Sequence, residues 1–419
     1  MKRNKAIKTC AEQVGISKLK KEQRACIASV LEGKDVVLIA PTSFGKSITY
    51  QIPALMLHDE NPKNWTLILE PTISLLRDQV NSLNAKNLSA DYLCGVHPLR
   101  YEELKGRLVT GELIYLYTTP EQLQQWTLKT LLKENPPKLI VVDEAHCVSQ
   151  WGVSFRKSYM KIGKVLKNLP SRPVMLACSA TILPEERGVV TESLGMHDPL
   201  WVEHSLVRSN IFIEINKCKK SDYKGRLKPI LRSIEKYGKK GRVVIYCNTK
   251  SEVDALWNCL SVTLQESVGK CHAGLSEEQR LEYETEFMTG RMRVMIATTA
   301  FGMGIDAPDI RLVLHTRMPF DVSNYYQQIG RAGRDGKKSC AVLLWHENDV
   351  GYLKKMMEYQ KEDPNLRKQK MMRLEQLSEV LQGNKCLWRG VLTLLGETKV
   401  EKHCGHCKNC KEGKSGYEN

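Results

Sequence analysis

No apolar run in the sequence approaches the roughly 20 residues that a membrane-spanning helix needs. The opening segment, MKRNKAIKTCAEQ, is basic but lacks the apolar core of a secretion signal. A membrane protein or an exported one is therefore not expected; the reading is a soluble intracellular chain, in the cytoplasm or nucleoid of a bacterium or the nucleus of a eukaryote. Low-complexity tracts are missing as well. Acidic residues are in deficit, with 47 Asp and Glu against 63 Lys and Arg and a formal charge of +16. That balance favours a polyanionic partner such as nucleic acid over an acidic small molecule. Cysteine is plentiful, but the pattern of a secreted disulfide scaffold is not there. Most of the fourteen cysteines, including Cys147, Cys178 and Cys247, stand singly in apolar or motif-bearing stretches, as reduced core thiols do.

At 419 residues the chain is too long for one compact domain. Short β-rich runs alternate with helical patterns: DVVLIAP, WTLILEP, LIYLYTTP, KLIVVDEAH and PVMLACSAT, followed by a second series, RVVIYCNT, RVMIATTA, IRLVLHTRMP and SCAVLLW. Such alternation predicts parallel sheets covered by helices on both faces. The fold class expected is therefore α/β, with two tandem parallel-sheet domains. Between the two series lies a short strand-like run and a polar, basic stretch, and the first boundary is placed near Ser205. After Trp345 the pattern becomes long helical periodicity ending in a cysteine cluster. The domains read as 1–205, 206–346 and 347–419, the last a small α-helical module.

The segment APTSFGKS, Ala40 to Ser47, sits between a strand signal and a helix signal, the context that a phosphate-binding loop requires. Backbone amides around Thr42, Ser43, Phe44 and Gly45, together with the helix N-terminus, would attract phosphate. Lys46 would bring its charge to the terminal phosphates of ATP, and the Ser47 hydroxyl would be a magnesium ligand. Ala40 departs from the glycine of the strict pattern. DEAH, Asp143 to His146, ends the run KLIVV, which puts its carboxylates at the C-terminal sheet edge where open α/β folds bind ligands. Asp143 suits magnesium, directly or through water, and Glu144 suits orienting and deprotonating the attacking water.

In QQIGRAGRDG, Gln327 to Gly336, two guanidinium groups stand three residues apart. Arg331 and Arg334 are candidates for stabilising charge on a transferring phosphoryl group, with Gln327 beside them. Further on, Cys386 and the tight run CGHCKNC offer the thiolates of Cys386, Cys404, Cys407 and Cys410. Four soft ligands suit a closed tetrahedral zinc; His403 or His406 could replace a cysteine, though a four-sulfur site needs neither.

Taken together these residues resemble superfamily 2 helicases and, within them, the RecQ family of DNA helicases. The resemblance spans nearly the whole chain and includes LKKEQ (Leu19 to Gln23), PTISLLRDQV, TPEQL, SAT (Ser179 to Thr181), YCNT, HAGL (His272 to Leu275) and ATTAFGMGID. Its most specific part is DEAHCVSQWGVSFRKSY, which matches an aromatic-rich loop that in this family senses single-stranded DNA. Trp151, Phe155 and Arg156 match that loop, and aromatic faces with a guanidinium make a plausible single-strand platform. Val153 and Ser154 stand where the family usually has His and Asp, so a coupling between DNA and ATPase that is weakened or differently wired is the expectation.

The resemblance implies two RecA-like domains and a helical zinc-binding domain with one cysteine upstream of three. It implies Gln23 reading the adenine edge with Lys20 beside it, Ile16 replacing a stacking aromatic, Ser179 and Thr181 joining ATP site to DNA face, and His272 among the DNA contacts. The implied activity is ATP-dependent translocation from 3′ to 5′, with single-stranded and forked DNA as partners, roles in repair and recombination, and ATP, magnesium and zinc as cofactors. A single chain is compatible with that reading, and no protein partner is indicated. Family members often continue into a winged helix, whereas this sequence stops nine residues after Cys410; weaker unwinding is the expectation. The alternatives are an RNA-directed motor and a DNA-stimulated clamp or remodeller.

Overall fold

The structure is a computed structural model and describes residues 2–95, 98–150, 158–264, 266–299, 301, 307–359 and 363–413. Two compact units divide the chain, Met1–Ser205 and Leu206–Asn419.

The first unit is built on a seven-stranded sheet: β1 (Val36–Ile39), β2 (Thr66–Leu69), β3 (Ala90–Leu93), β4 (Tyr115–Thr118), β5 (Leu139–Val142), β6 (Val174–Ser179) and β7 (Leu200–Glu203). Its order is β3-β4-β2-β5-β6-β1-β7, with all neighbours parallel. Every residue of β1, β2, β4 and β5 is buried, which is why these strands read as unbroken apolar runs instead of alternating ones. The edge strands β3 and β7 carry Asp91 and Glu203 and were not legible as runs. An edge strand has solvent on one side and tolerates charge.

The second unit holds a six-stranded parallel sheet: β8 (Ile211–Lys217), β9 (Arg242–Tyr246), β10 (Val268–Cys271), β11 (Val294–Ala297), β12 (Ile310–His315) and β13 (Ser339–Trp345). The order is β10-β11-β9-β12-β13-β8. The strand-like run that follows Ser205 is thus the sheet's outer strand, β8, paired with β13 from Ile211 to Lys217. Beyond β13 come the helices Asn348–Glu358, Pro364–Gln382 and Leu387–Leu394 and a short turn of helix, Lys408–Lys411. They dock on β8 and its surroundings: the buried Trp388 indole donates to the Ile211 carbonyl at 3.0 Å, and Lys408 donates to the Ile215 carbonyl at 3.2 Å. None of the described helices is long and apolar enough to cross a membrane.

A buried ion network locks the second sheet to the helices after it. Arg226 is 1% exposed; it donates to Asp349 at 2.6 Å, to the Leu344 carbonyl at 3.0 Å and to the Thr316 carbonyl. Arg317 reaches the same carboxylate at 3.1 Å and also pairs with Glu252. Removing one partner strands the other's charge in a dry interior. Arg226→Met should lower unfolding stability by about 3–5 kcal/mol in urea titrations. The double change Arg226→Met with Asp349→Leu should recover much of the loss, because it removes the stranded charge as well; a double variant no more stable than the single one would contradict this account.

Candidate nucleotide site and zinc centre

The loop between β1 and the helix Ile48–Glu60 is held in a shape only a small set of residues allows. Ser43 and Gly45 have φ of +70° and +85°, and a Cβ on Gly45 would come within 2.9 Å of the Ile48 side chain. The glycine is therefore required twice, for backbone hand and for space. Lys46 donates across the loop to the Ala40 carbonyl at 3.3 Å, so the loop carries an ammonium within its own curl. Ser47 adopts helical dihedrals just ahead of Ile48, at the helix N-terminus where oriented amides favour an anion.

Lys20 and Gln23 brace this loop from the side. The Gln23 amide donates to the carbonyls of Phe44 and Gly45, both at 3.2 Å, and accepts from the Lys20 amide at 2.8 Å. The Lys20 ammonium donates to the Phe44 carbonyl at 3.1 Å and lies 4.3 Å from the centre of the Phe44 ring. Gln23 is only 3% exposed, so in this arrangement its amide secures the loop. His204 packs on Phe44 with ring centres 4.6 Å apart and meets Glu22 at 3.2 Å. His204 belongs to no motif recognised in the sequence, and Glu22 stands in LKKEQ without having been singled out there. Thr42 is half-buried in the same loop.

Asp143 and Glu144 follow β5, and the backbone turns sharply there: Glu144 has φ +49°, an uncommon conformation for a side-chain-bearing residue. The Asp143 carboxylate accepts from the Glu144 amide at 2.8 Å. Burial and the neighbouring Glu144 charge push the Asp143 carboxyl up to about 6, with Lys46 pulling the other way. Glu70, 1% exposed at the end of β2, joins them; burial and the charges of Asp143 and Glu144 push it well above the ordinary range. Sequence reading missed Glu70, whose only signal was an acid closing the apolar run WTLILEP.

From Glu144 a polar path runs into the unit. Its carboxylate lies 3.1 Å from His146 Nδ1, the same nitrogen lies 3.2 Å from the Ser179 hydroxyl, and Ser179 donates to the Thr181 carbonyl at 2.9 Å. Burial alone would lower the His146 pKa, but the contacts with Cys147 and Glu144 outweigh it and raise it to about 10. Trp151, Phe155 and Arg156, together with Val153 and Ser154, lie outside the described residues.

In the second unit Gln327 lies in the helix Val322–Ile329, and Arg331 and Arg334 follow it. Burial raises the pKa of Tyr246, and the charge and hydrogen bond of Arg331 and the charge of Arg334 oppose that rise. The loop carrying them is gripped by Arg208, 7% exposed, which donates to the carbonyls of Gly330, Ala332 and Gly333 at 2.9, 3.0 and 3.1 Å. Arg208 belongs to no recognised motif, so pattern reading passed over it. His272 is 5% exposed; its ring is held between the Gly274 amide at 3.1 Å and Asp254 at 3.3 Å, and it shapes the turn HAGL from within. GMGID, residues 302–306, lies outside the described residues.

Cys386, Cys404, Cys407 and Cys410 gather so that their sulfur atoms all lie within 4.8 Å of one another. Cys404 and Cys410 sulfurs are 3.9 Å apart, and a tetrahedron with metal–sulfur bonds of about 2.3 Å has edges of about 3.8 Å. The donor set therefore fits zinc in number, kind and approximate spacing. Backbone amides of Arg389 and His406 point at the sulfurs of Cys386 and Cys404, both at 3.4 Å, which favours thiolate. His406 is turned to the Cys404 carbonyl through Nδ1, and His403 does not join the cluster among the described residues.

Comparison with known proteins gives three family matches along the chain: DEAD/DEAH box helicase over residues 20–187, helicase conserved C-terminal domain over 225–336, and RecQ zinc-binding over 347–411. An ATP-dependent DNA helicase RecQ of Bacillus subtilis (strain 168) is 34% identical over 401 residues, covering 94% of this chain and 65% of the relative. A protein of Acanthamoeba polyphaga mimivirus, provisionally named an ATP-dependent RNA helicase, is 32% identical over 408 residues, 96% of this chain and 71% of its own. Among solved structures, the helicase MrfA bound to DNA superposes with a TM-score of 0.69 at 20% identity, over 84% of this chain and 50% of that one, a likeness of fold. The chain spans less than two thirds of the length of the Bacillus relative.

Because a structural zinc contributes folding free energy directly, stripping it with a strong chelator should unfold the helices after Trp345. Cys407→Ser should do the same in metal-replete buffer, seen as loss of about one bound zinc per chain and a lower Tm. An unchanged Tm after complete zinc removal would contradict a structural role.

Proposed function

This chain belongs to the RecQ family of helicases, and on that premise we propose that it is an ATP-dependent DNA helicase that moves 3′ to 5′ on single-stranded DNA and separates strands ahead of it. The observation that carries the proposal is the unbroken polar path from Glu144 through His146 and Ser179 to Thr181. A hydrolytic carboxylate wired to a buried turn can report the state of the nucleotide to the rest of its unit, which is what a motor requires.

In the proposed reaction Lys46 and the loop amides hold the terminal phosphates, and Glu144 orients and deprotonates the attacking water. When bound by Ser47 and Asp143, magnesium supplies charge neutralisation to the phosphates. Gln327, Arg331 and Arg334 are assigned to the developing negative charge on the transferring group, on the strength of their motif. Lys20, Gln23 and the Phe44–His204 pair form the flank on which the base is proposed to lie. Trp151, Phe155 and Arg156 are proposed to grip the single strand, with Ser179, Thr181 and the His272 turn transmitting its presence. Binding through phosphates makes the interaction salt-dependent and largely indifferent to sequence. Work of this kind suits DNA repair and recombination.

An RNA-directed motor is the second reading, favoured by the name of the mimivirus relative. A DNA-stimulated clamp that unwinds weakly is the third. ATP-dependent strand separation on a fork with a 3′ tail, abolished in Lys46→Ala, is the expected outcome and rejects the clamp. Stimulation of ATP hydrolysis by RNA but not by single-stranded DNA of the same length would overturn the DNA assignment, and separation only from a 5′ tail would overturn the polarity.

A further inference from the structure

On the second unit, at the edge where β8, β12 and β13 begin, two adjoining hollows of about 860 and 670 Å³ share Lys236, Tyr237, Arg311 and Lys338 as walls. The zinc-bearing segment closes one side with Lys408 and Lys411, and Lys240 and Lys337 line the other. The carboxylates of this groove are already matched: Glu214 meets Lys236 at 3.4 Å, Asp309 meets Arg242 at 3.0 Å, Glu412 meets Lys408 at 3.9 Å, and Asp335 pairs with Arg311. That leaves the ammonium groups of Lys240, Lys337, Lys338 and Lys411 with no carboxylate within ion-pair distance among the described residues. All four side chains are exposed. Nothing in the nucleotide chemistry uses them.

We infer that this groove is a second DNA-binding surface, one that holds the phosphate backbone of duplex DNA. The inference rests on the reading that the chain acts on DNA and adds a place for the unopened part of the substrate. Three features select that ligand. Solvated, well-spread ammonium groups suit a long polyanion met by many weak contacts; a small phosphate compound would call for buried, convergent donors. Single strands are usually gripped by exposed aromatic faces, yet here Lys411 lies 4.9 Å over the Phe212 ring and Tyr237 is tied to Glu214, so neither ring is offered to a base. The groove also lies apart from the His272 turn assigned to the translocating strand. HAGL follows β10 at its carboxyl end, whereas the groove opens where β12 and β13 start; in a parallel sheet these are opposite edges.

The test compares the full chain with the charge-reversed variant Lys240→Glu, Lys337→Glu, Lys338→Glu on three probes: a blunt duplex, a fork with a 3′ single-stranded tail, and the tail alone. Affinity for duplex and fork should fall by at least about tenfold, and the slope of log affinity against log salt should flatten by about 2–3, close to 0.9 per lost phosphate contact. Affinity for the tail, and ATP hydrolysis stimulated by it, should stay unchanged, which also shows that the variant is folded. The neutral variant Lys240→Gln, Lys337→Gln, Lys338→Gln should fall between the two. Unchanged duplex affinity and salt slope would overturn the inference. So would an equal loss on the tail and in stimulated hydrolysis, because the lysines would then belong to the translocation track. Wild-type protein that hydrolyses ATP without DNA stimulation would remove the functional reading while leaving the duplex comparison to decide the groove.

Discussion

Three carboxyl groups, Glu70, Asp143 and Glu144, are crowded at the ends of neighbouring buried strands with Lys46 as the nearby cation that offsets their charge. In a dry environment the Lys46 ammonium and the His146 imidazolium do not balance three acids, and two of the carboxyls hold their protons more tightly than they would in water. Such a cluster is a poor choice for stability alone. On the proposed function it becomes favourable when a divalent cation held by Ser47 and Asp143 adds positive charge beside the acids, which would make the loaded protein more stable than the empty one. The surrounding geometry follows from that constraint. Gly45 bends the loop so that Lys46 can face the acids, and Glu144 accepts a left-handed backbone to keep its carboxylate near His146.

Much of this was readable from residues alone, because the centre of a parallel sheet writes itself as unbroken apolar runs and the loops at its carboxyl edge carry chemistry. β1, β2, β4, β5 and β6 of the first sheet and β9, β11, β12 and β13 of the second stood out for that reason. β3, β7 and β10 did not: they are outer strands, short and partly polar, and their identity is set by the neighbour they pair with. The same distinction divides the site. Lys46, Asp143 and the four cysteines announce themselves by spacing. Glu70, Arg208 and His204 act through the third dimension, and no local pattern marks an arginine whose task is to hold three carbonyls of a distant loop.

The zinc centre and the second sheet depend on each other in a way the cysteine spacing does not convey. Cys407 lies beside Ile213 of β8, and the His406 carbonyl accepts from the Ile213 amide at 3.4 Å. The metal module therefore covers an outer strand that would otherwise present unpaired backbone groups, a hazard that sheets must manage. In doing so it brings Lys408 and Lys411 to the wall of the basic groove.

The crowding of acids around Lys46 is most directly tested by the nucleotide-free stability of wild type and Asp143→Asn between pH 4 and 8. Asp143 binds its proton more tightly folded, at about 6, than its ordinary value of 3.8. Its burial is therefore tolerated below about pH 4, and the wild type loses stability as the pH rises through 6. The two proteins should unfold alike near pH 4 and diverge towards neutrality, with Asp143→Asn more stable there by roughly 1–3 kcal/mol. A variant that is less stable than wild type at neutral pH would contradict the account.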